Sequence, residues 1–130
     1  MEKEFIPYQE ALELKALGFD EECINEYWFT SKELRFSFEN IKNIYHTKRS
    51  NSDNNDTSLI SAPTFSQAFR WFREKYGWVA EIHGSLQLNH FYANLLLQAK
   101  GEVRNIKMCD TYEEAELACL RKLIEIIKNK

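Results

Sequence analysis

The side chains that most often bind metal ions or act as nucleophiles are few in this chain, which has three histidines and three cysteines. His83 and His90 flank a predicted strand turn and Cys109 follows a later strand, but none has the short paired spacing of a zinc site. Cys119 falls in the middle of a predicted helix among alanines, which favours a small core side chain over an activated thiol. The sequence therefore predicts no metal site and no catalytic residue.

Phosphate-binding loops and paired carboxylates are also missing from the pattern. The four glycines are each explained as a helix end or a turn, so no glycine-rich loop is left to cradle a phosphate. No pair of carboxylates stands out from the general acidity. We therefore expect that the protein is not an enzyme and that it needs no cofactor.

A tryptophan between arginines is the first candidate for a binding residue. Trp71 lies about 60° off the apolar arc of its predicted helix, at 100° per residue. Arg70 and Arg73 lie beside it. A partly exposed tryptophan next to arginines has the composition of an interface anchor. The alternative is that Trp71 covers the edge of the core, and the sequence leaves both interpretations open.

A second candidate is the outer face of two predicted strands. "WVAEIHG" and "HFYANLLLQ" alternate as half-buried strands do. The predicted outer face is mixed in character and consists of Glu81, His83, Tyr92, Asn94 and Leu96. It is either a binding surface or a surface covered by residues 1–45. We take His83 and Tyr92 as candidate binding residues with Arg70, Trp71 and Arg73.

The helices and strands that must position these residues are predicted from the spacing of apolar residues and from the residues that start and end helices. The first helix is predicted over residues 7–17, closed by Gly18, with Phe19 folding back onto Leu14. Two strands surround residues 30–33. A second helix begins at the capping box of Thr64 and Gln67. Three strands follow it, the third over residues 103–108.

The last helix lies in "DTYEEAELACLRKLIEII" and starts at a capping box of Thr111 and Glu114. Its apolar side chains fill an arc of about 200° at 100° per residue. One contact with a sheet does not need so wide an arc, so we expect this helix to touch both the sheet and a neighbouring helix.

The element order is α-β-β-loop-α-β-β-β-α, which predicts an α+β fold with a largely antiparallel sheet packed by helices. At 130 residues we expect a single domain over residues 1–130. Residues 46–60 are Ser-, Asn- and Asp-rich with few apolar side chains, and they are predicted to form a disordered internal loop.

The net charge of −3 argues against a protein that follows a phosphate backbone. The three cysteines are odd in number and none forms a C-x-x-C pair, which indicates reduced thiols in a cytosol. The start, "MEKEFIPYQE", has no apolar segment of a signal peptide, and no apolar run approaches the roughly 20 residues of a membrane span. We expect a cytoplasmic protein without a membrane partner.

Three stretches carry a resemblance: "IPYQEALELKALGFDEEC", "APTFSQAFRWFREKYGW" and "TYEEAELACLRKLIEII". Together they resemble a family of small uncharacterised proteins encoded by phages and prophages of Bacteroides and related gut bacteria. The match covers both ends of the chain and misses the polar loop. It implies a bacterial or phage cytoplasmic origin, and it brings no activity, cofactor or catalytic residue.

Residues 63–130 have the element order of the double-stranded-RNA-binding domain, which grips phosphates partly with lysines at the start of its final helix. Here that position carries three glutamates, Glu113, Glu114 and Glu116, which repel a phosphate. Six basic residues between positions 70 and 107 could still form a basic patch, or they could form a solvated charged face.

The sequence therefore favours a non-catalytic accessory or regulatory protein, associated with phages, that binds another protein. The alternative is a nucleic-acid-binding module with the element order of a double-stranded-RNA-binding domain.

Overall fold

The computed structural model describes residues 2–28, 32, 34–36, 51, 59–87 and 89–130. Within them the chain divides into two compact units, Met1–Thr64 and Phe65–Lys130. Each unit has its own three-stranded sheet and its own buried side chains. The α+β class with antiparallel sheets is confirmed. The predicted single domain stays a prediction.

The described part of the first unit begins with a short 3-10 helix, Glu2–Glu4. The elements that follow are α1 (Tyr8–Ala16), β1 (Asn25–Trp28), β2 (Leu34–Phe36) and β3 (Leu59–Ala62). The three strands form an antiparallel sheet with the order β2-β1-β3. The isolated bridge between Phe5 and Thr64 joins the beginning and the end of this unit.

The end of α1 has the predicted geometry. Gly18 takes the left-handed conformation, with a φ of 95°. The backbone N–H of Phe19 donates to the carbonyl of Leu14 at 2.9 Å, and that of Gly18 donates to Lys15 at 3.1 Å. These two bonds define a Schellman ending, and the side chains of Phe19 and Leu14 are both buried.

Strand β3 was not predicted. Leu59 and Ile60 were assigned to the loop over 46–60, but they begin a strand that pairs with β1 and is buried along its whole length. Asn51, which also lies in the predicted loop, is held by two hydrogen bonds. Its side-chain amide donates to the carbonyl of Phe19 at 2.8 Å, and its Oδ1 accepts from the N–H of Ser61 at 2.9 Å. The rest of the predicted loop lies outside the described residues.

The second unit has the predicted order of helix, three strands and helix. The elements are α2 (Phe65–Tyr76), β4 (Trp78–Gly84), β5 (Phe91–Leu97), β6 (Glu102–Cys109) and α3 (Tyr112–Lys128). The sheet is antiparallel with the order β4-β5-β6, and a short 3-10 helix, Gln98–Lys100, joins β5 to β6.

Helix α3 begins as its sequence predicts. Thr111 Oγ1 accepts from the N–H of Glu114 at 3.1 Å, and Glu114 Oε2 accepts in return from the N–H of Asp110 at 3.2 Å. The helix packs against all three strands of its sheet and against α2. The expectation that its wide apolar arc meets two kinds of neighbour is confirmed, and Leu120 and Leu123 are fully buried there.

Candidate interaction surface

Trp71 is buried, so the expectation of a partly exposed anchor at this position is wrong. Its side chain is 7% exposed, and its ring makes edge-to-face contacts with Phe72 at 4.9 Å and with Tyr76 at 5.5 Å between centroids. The buried side of α2 also includes Ala68 and Phe65. The buried arc of this helix is therefore rotated towards Trp71, and the second of the two interpretations of this residue is the correct one.

Arg70 and Arg73 are exposed on α2. Helices α2 and α3 pack on the face of the sheet that carries the buried side chains of Trp78, Ala93 and Leu95. His83 and Tyr92 lie on strands of the same unit but on the opposite face. The five candidate residues therefore do not form one site.

The predicted outer strand face is present. Glu81 pairs with Asn94 and His83 with Tyr92 across β4 and β5, so their side chains share one face of the sheet. Strand β6 extends this face with Asn105 opposite Asn94 and Val103 opposite Leu96. We define the outer face as Val79, Glu81, His83, Tyr92, Asn94, Leu96, Val103 and Asn105, with Lys107 and Met108 at its edge.

An aromatic stack occupies one end of the outer face. The rings of His83 and Tyr92 are stacked with centroids 5.3 Å apart and planes at 29°. Nε2 of His83 lies 3.4 Å from Oε2 of Glu81, within hydrogen-bonding distance. The Tyr92 side chain is still 41% exposed. The stack therefore presents a partly apolar aromatic surface on this face of the sheet.

Apolar side chains continue the outer face beyond the stack and beside it. Val79, Leu96 and Val103 lie in register across the three strands, and Val103 is 55% exposed. A β-bulge shifts the register between Phe91 and Ala93 and places Lys107 and exposed Met108 opposite Tyr92. Sequence alternation could not reveal Met108, because the bulge interrupts the period of two.

No group of three or more His, Cys, Asp or Glu side chains able to hold a metal ion occurs among the described residues. His90 Nδ1 lies 3.3 Å from Asp110 Oδ1; the Asp110 side chain is exposed and that of His90 is half-buried. Cys119 is fully buried, and burial, with a smaller effect of nearby Cys109, raises its pKa to about 12. A thiol that stays protonated is a poor nucleophile.

Two buried carboxylates were not foreseen. Glu10 is 2% exposed and Glu26 is 1% exposed, both in the first unit. Each has an interaction partner in the structure. Glutamate is almost never buried unless it is paired, so these side chains fit a structural role. Nothing in the spacing of apolar residues around them distinguishes them from surface glutamates.

Comparisons of the chain with models of protein families, with curated proteins and with solved structures found no significant match. Within the described residues no helix has the length and apolar character needed to cross a bilayer.

Proposed function

We propose that this chain is a non-catalytic accessory or regulatory protein that binds another protein through the outer face of its second unit. The observation that carries this proposal is the exposure of Tyr92, Val103 and Met108 on a single sheet face, beside the ordered His83–Tyr92 stack. Aromatic side chains and methionine are enriched in protein interfaces, and charged side chains are depleted from their centres.

The charge of the outer face supports a protein partner over a nucleic acid. Its acidic and basic side chains, with histidine not counted, are Glu81 and Lys107, whose charges balance each other. Binding to a phosphate backbone draws most of its free energy from several Lys or Arg contacts. The first turn of α3 carries Glu113 and Glu114, which further disfavours the mode of the double-stranded-RNA-binding domain.

The cellular setting of the proposal comes from the resemblance in the sequence. It implies a phage or prophage of Bacteroides or a related bacterium, and a cytoplasmic location. A cytoplasmic partner, encoded by the phage or by its host, is the occupant that we expect for the outer face.

The proposal is tested by affinity capture from lysogenic or infected cells with matched variants. Tyr92→Ser and Val103→Lys remove apolar contacts at two places on the outer face, the aromatic stack and the edge strand β6. Leu86→Ser is the control, because Leu86 is a fully exposed side chain in the β4–β5 turn. A protein retained by the natural chain and the control, and lost with both face variants, is the expected result.

Circular dichroism and thermal melting of each variant establish that the fold is retained. If both folded face variants keep every captured protein, the outer face is not the binding surface.

The nucleic-acid alternative is tested by gel-shift titration with single- and double-stranded DNA and RNA at low salt. Tight binding that weakens steeply with added salt would replace the protein-binding proposal.

A further inference from the structure

A cleft of about 500 Å³ opens at one end of the second unit, away from the outer face. The last residue of α2, the first of β4, the connection from β5 to β6 and the last turns of α3 enclose it. Its apolar lining includes Tyr76, Trp78, Leu97 and Ile126. Ligand pockets in proteins have volumes of roughly 300–1,000 Å³, so the cleft has the size for a small molecule.

Positive charge surrounds this apolar lining. Four basic side chains and two acidic ones line the cleft: Lys100, Arg104, Lys122 and Lys130, with Glu102 and Glu125. Arg104 pairs with Glu102 at 2.8 Å and Lys122 with Glu125 at 3.3 Å. Within the described part of the chain, Lys100 and Lys130 have no carboxylate partner. The two acidic groups are thus already neutralised, and two ammonium groups remain for a ligand.

Two aromatic side chains, Tyr76 and Trp78, belong to the lining. Trp78 is 2% exposed, so it forms part of the floor of the cleft. Tyr76 adds an aromatic ring, with Lys130 Nζ 5.5 Å from its centroid. The cleft therefore combines two ammonium groups with an aromatic and aliphatic lining, which suits an anion with an apolar body.

We propose that this cleft binds a small organic anion, with a carboxylate or phosphate group held by Lys100 and Lys130 and an apolar body against Tyr76, Leu97 and Ile126. None of the cleft residues belongs to the outer face, so this site is independent of the protein-binding surface.

Titration of the full chain with 2-naphthoate, followed by the indole N–H signals in nitrogen-15 NMR spectra, tests the site. The chain has three tryptophans, and the Trp78 signal is the one missing from Trp78→Phe. We expect a saturable shift of that signal, with a smaller change at Trp71, which does not line the cleft. Neutral 2-naphthamide, which has the same ring system, should bind about tenfold more weakly, because it lacks charge-assisted hydrogen bonds.

Charge-removing variants locate the anion. Lys100→Gln and Lys130→Gln should each weaken 2-naphthoate binding about fivefold to tenfold. Lys3→Gln is the matched control, because it removes the same charge from an exposed side chain that does not line the cleft, and it should bind as the natural chain does. The site is refuted by the absence of a saturable Trp78 shift, by equal affinity for the amide, or by unchanged affinity in both cleft variants. If Trp78→Phe does not fold, backbone assignment of the natural chain identifies the Trp78 signal.

Discussion

The side chains of Tyr92 and Trp71 show how far single residues could be assigned from the sequence. Tyr92 and His83 were placed on one face by strand alternation, and the register confirms this, because the period of a strand is two wherever it is regular. Trp71 was placed at the edge of an arc drawn through the other apolar residues. Its burial depends on which side of α2 meets neighbouring elements, and helical periodicity alone does not fix that rotation.

Cys119 and Cys109 differ in burial, and we therefore expect them to differ in reactivity towards alkylating agents. Burial raises the pKa of Cys119 to about 12 from its ordinary 9.0, whereas Cys109 is half-buried at the end of β6. At pH 9 a thiol with a pKa of 12 is ionised in roughly one molecule in a thousand. Brief iodoacetamide treatment of the folded protein at pH 9 should therefore modify Cys109 and leave Cys119 intact.

Peptide mass spectrometry gives the extent of modification at each cysteine. Treatment in concentrated urea is the control, since unfolding exposes all three thiols and should equalise their reactivity. Modification of Cys119 at the rate of Cys109 in the folded protein would contradict the burial of this thiol.

Among the helices and strands, those whose ends are marked by a capping box or a terminal glycine were predicted best. The glycine end of α1 and the capping box of α3 depend on residues within one helical turn, and both are confirmed. Strand β3 was missed because "LISA" is buried on both faces and shows no alternation. A fully buried strand appears in a sequence only as a short apolar run, and here that run follows a polar segment.

The cap of α3 is tested by Thr111→Ala. The substitution removes the hydroxyl that accepts from the N–H of Glu114, and loss of such a cap costs about 1 kcal/mol. Urea unfolding should show a lower midpoint with an unchanged slope. Ser66→Ala is the control, because Ser66 is exposed in the first turn of α2. A Thr111→Ala midpoint equal to that of the control would exclude a stabilising cap.

At the scale of the whole molecule, the sequence predicts one domain and the structure describes two compact units. Each unit is about half of the 130 residues. A chain of about 60 residues buries only about 60% of its unfolded surface, so it is marginally stable by itself. We therefore expect the two units to unfold together in one cooperative transition, which is the behaviour that a single domain requires.

Hydrogen exchange of Leu123→Ala distinguishes one transition from two. Leu123 is fully buried in α3, and its truncation should cost about 2–5 kcal/mol. If unfolding is cooperative, the most protected amides of α1 and β1 lose protection by the same free energy as those of α3, although they belong to the other unit. Leu86→Ala, at a fully exposed side chain, should leave both sets unchanged. Loss of protection confined to residues 65–130 would mean that the units are separate domains, because the free energy of opening the first unit would then be independent of the core of the second.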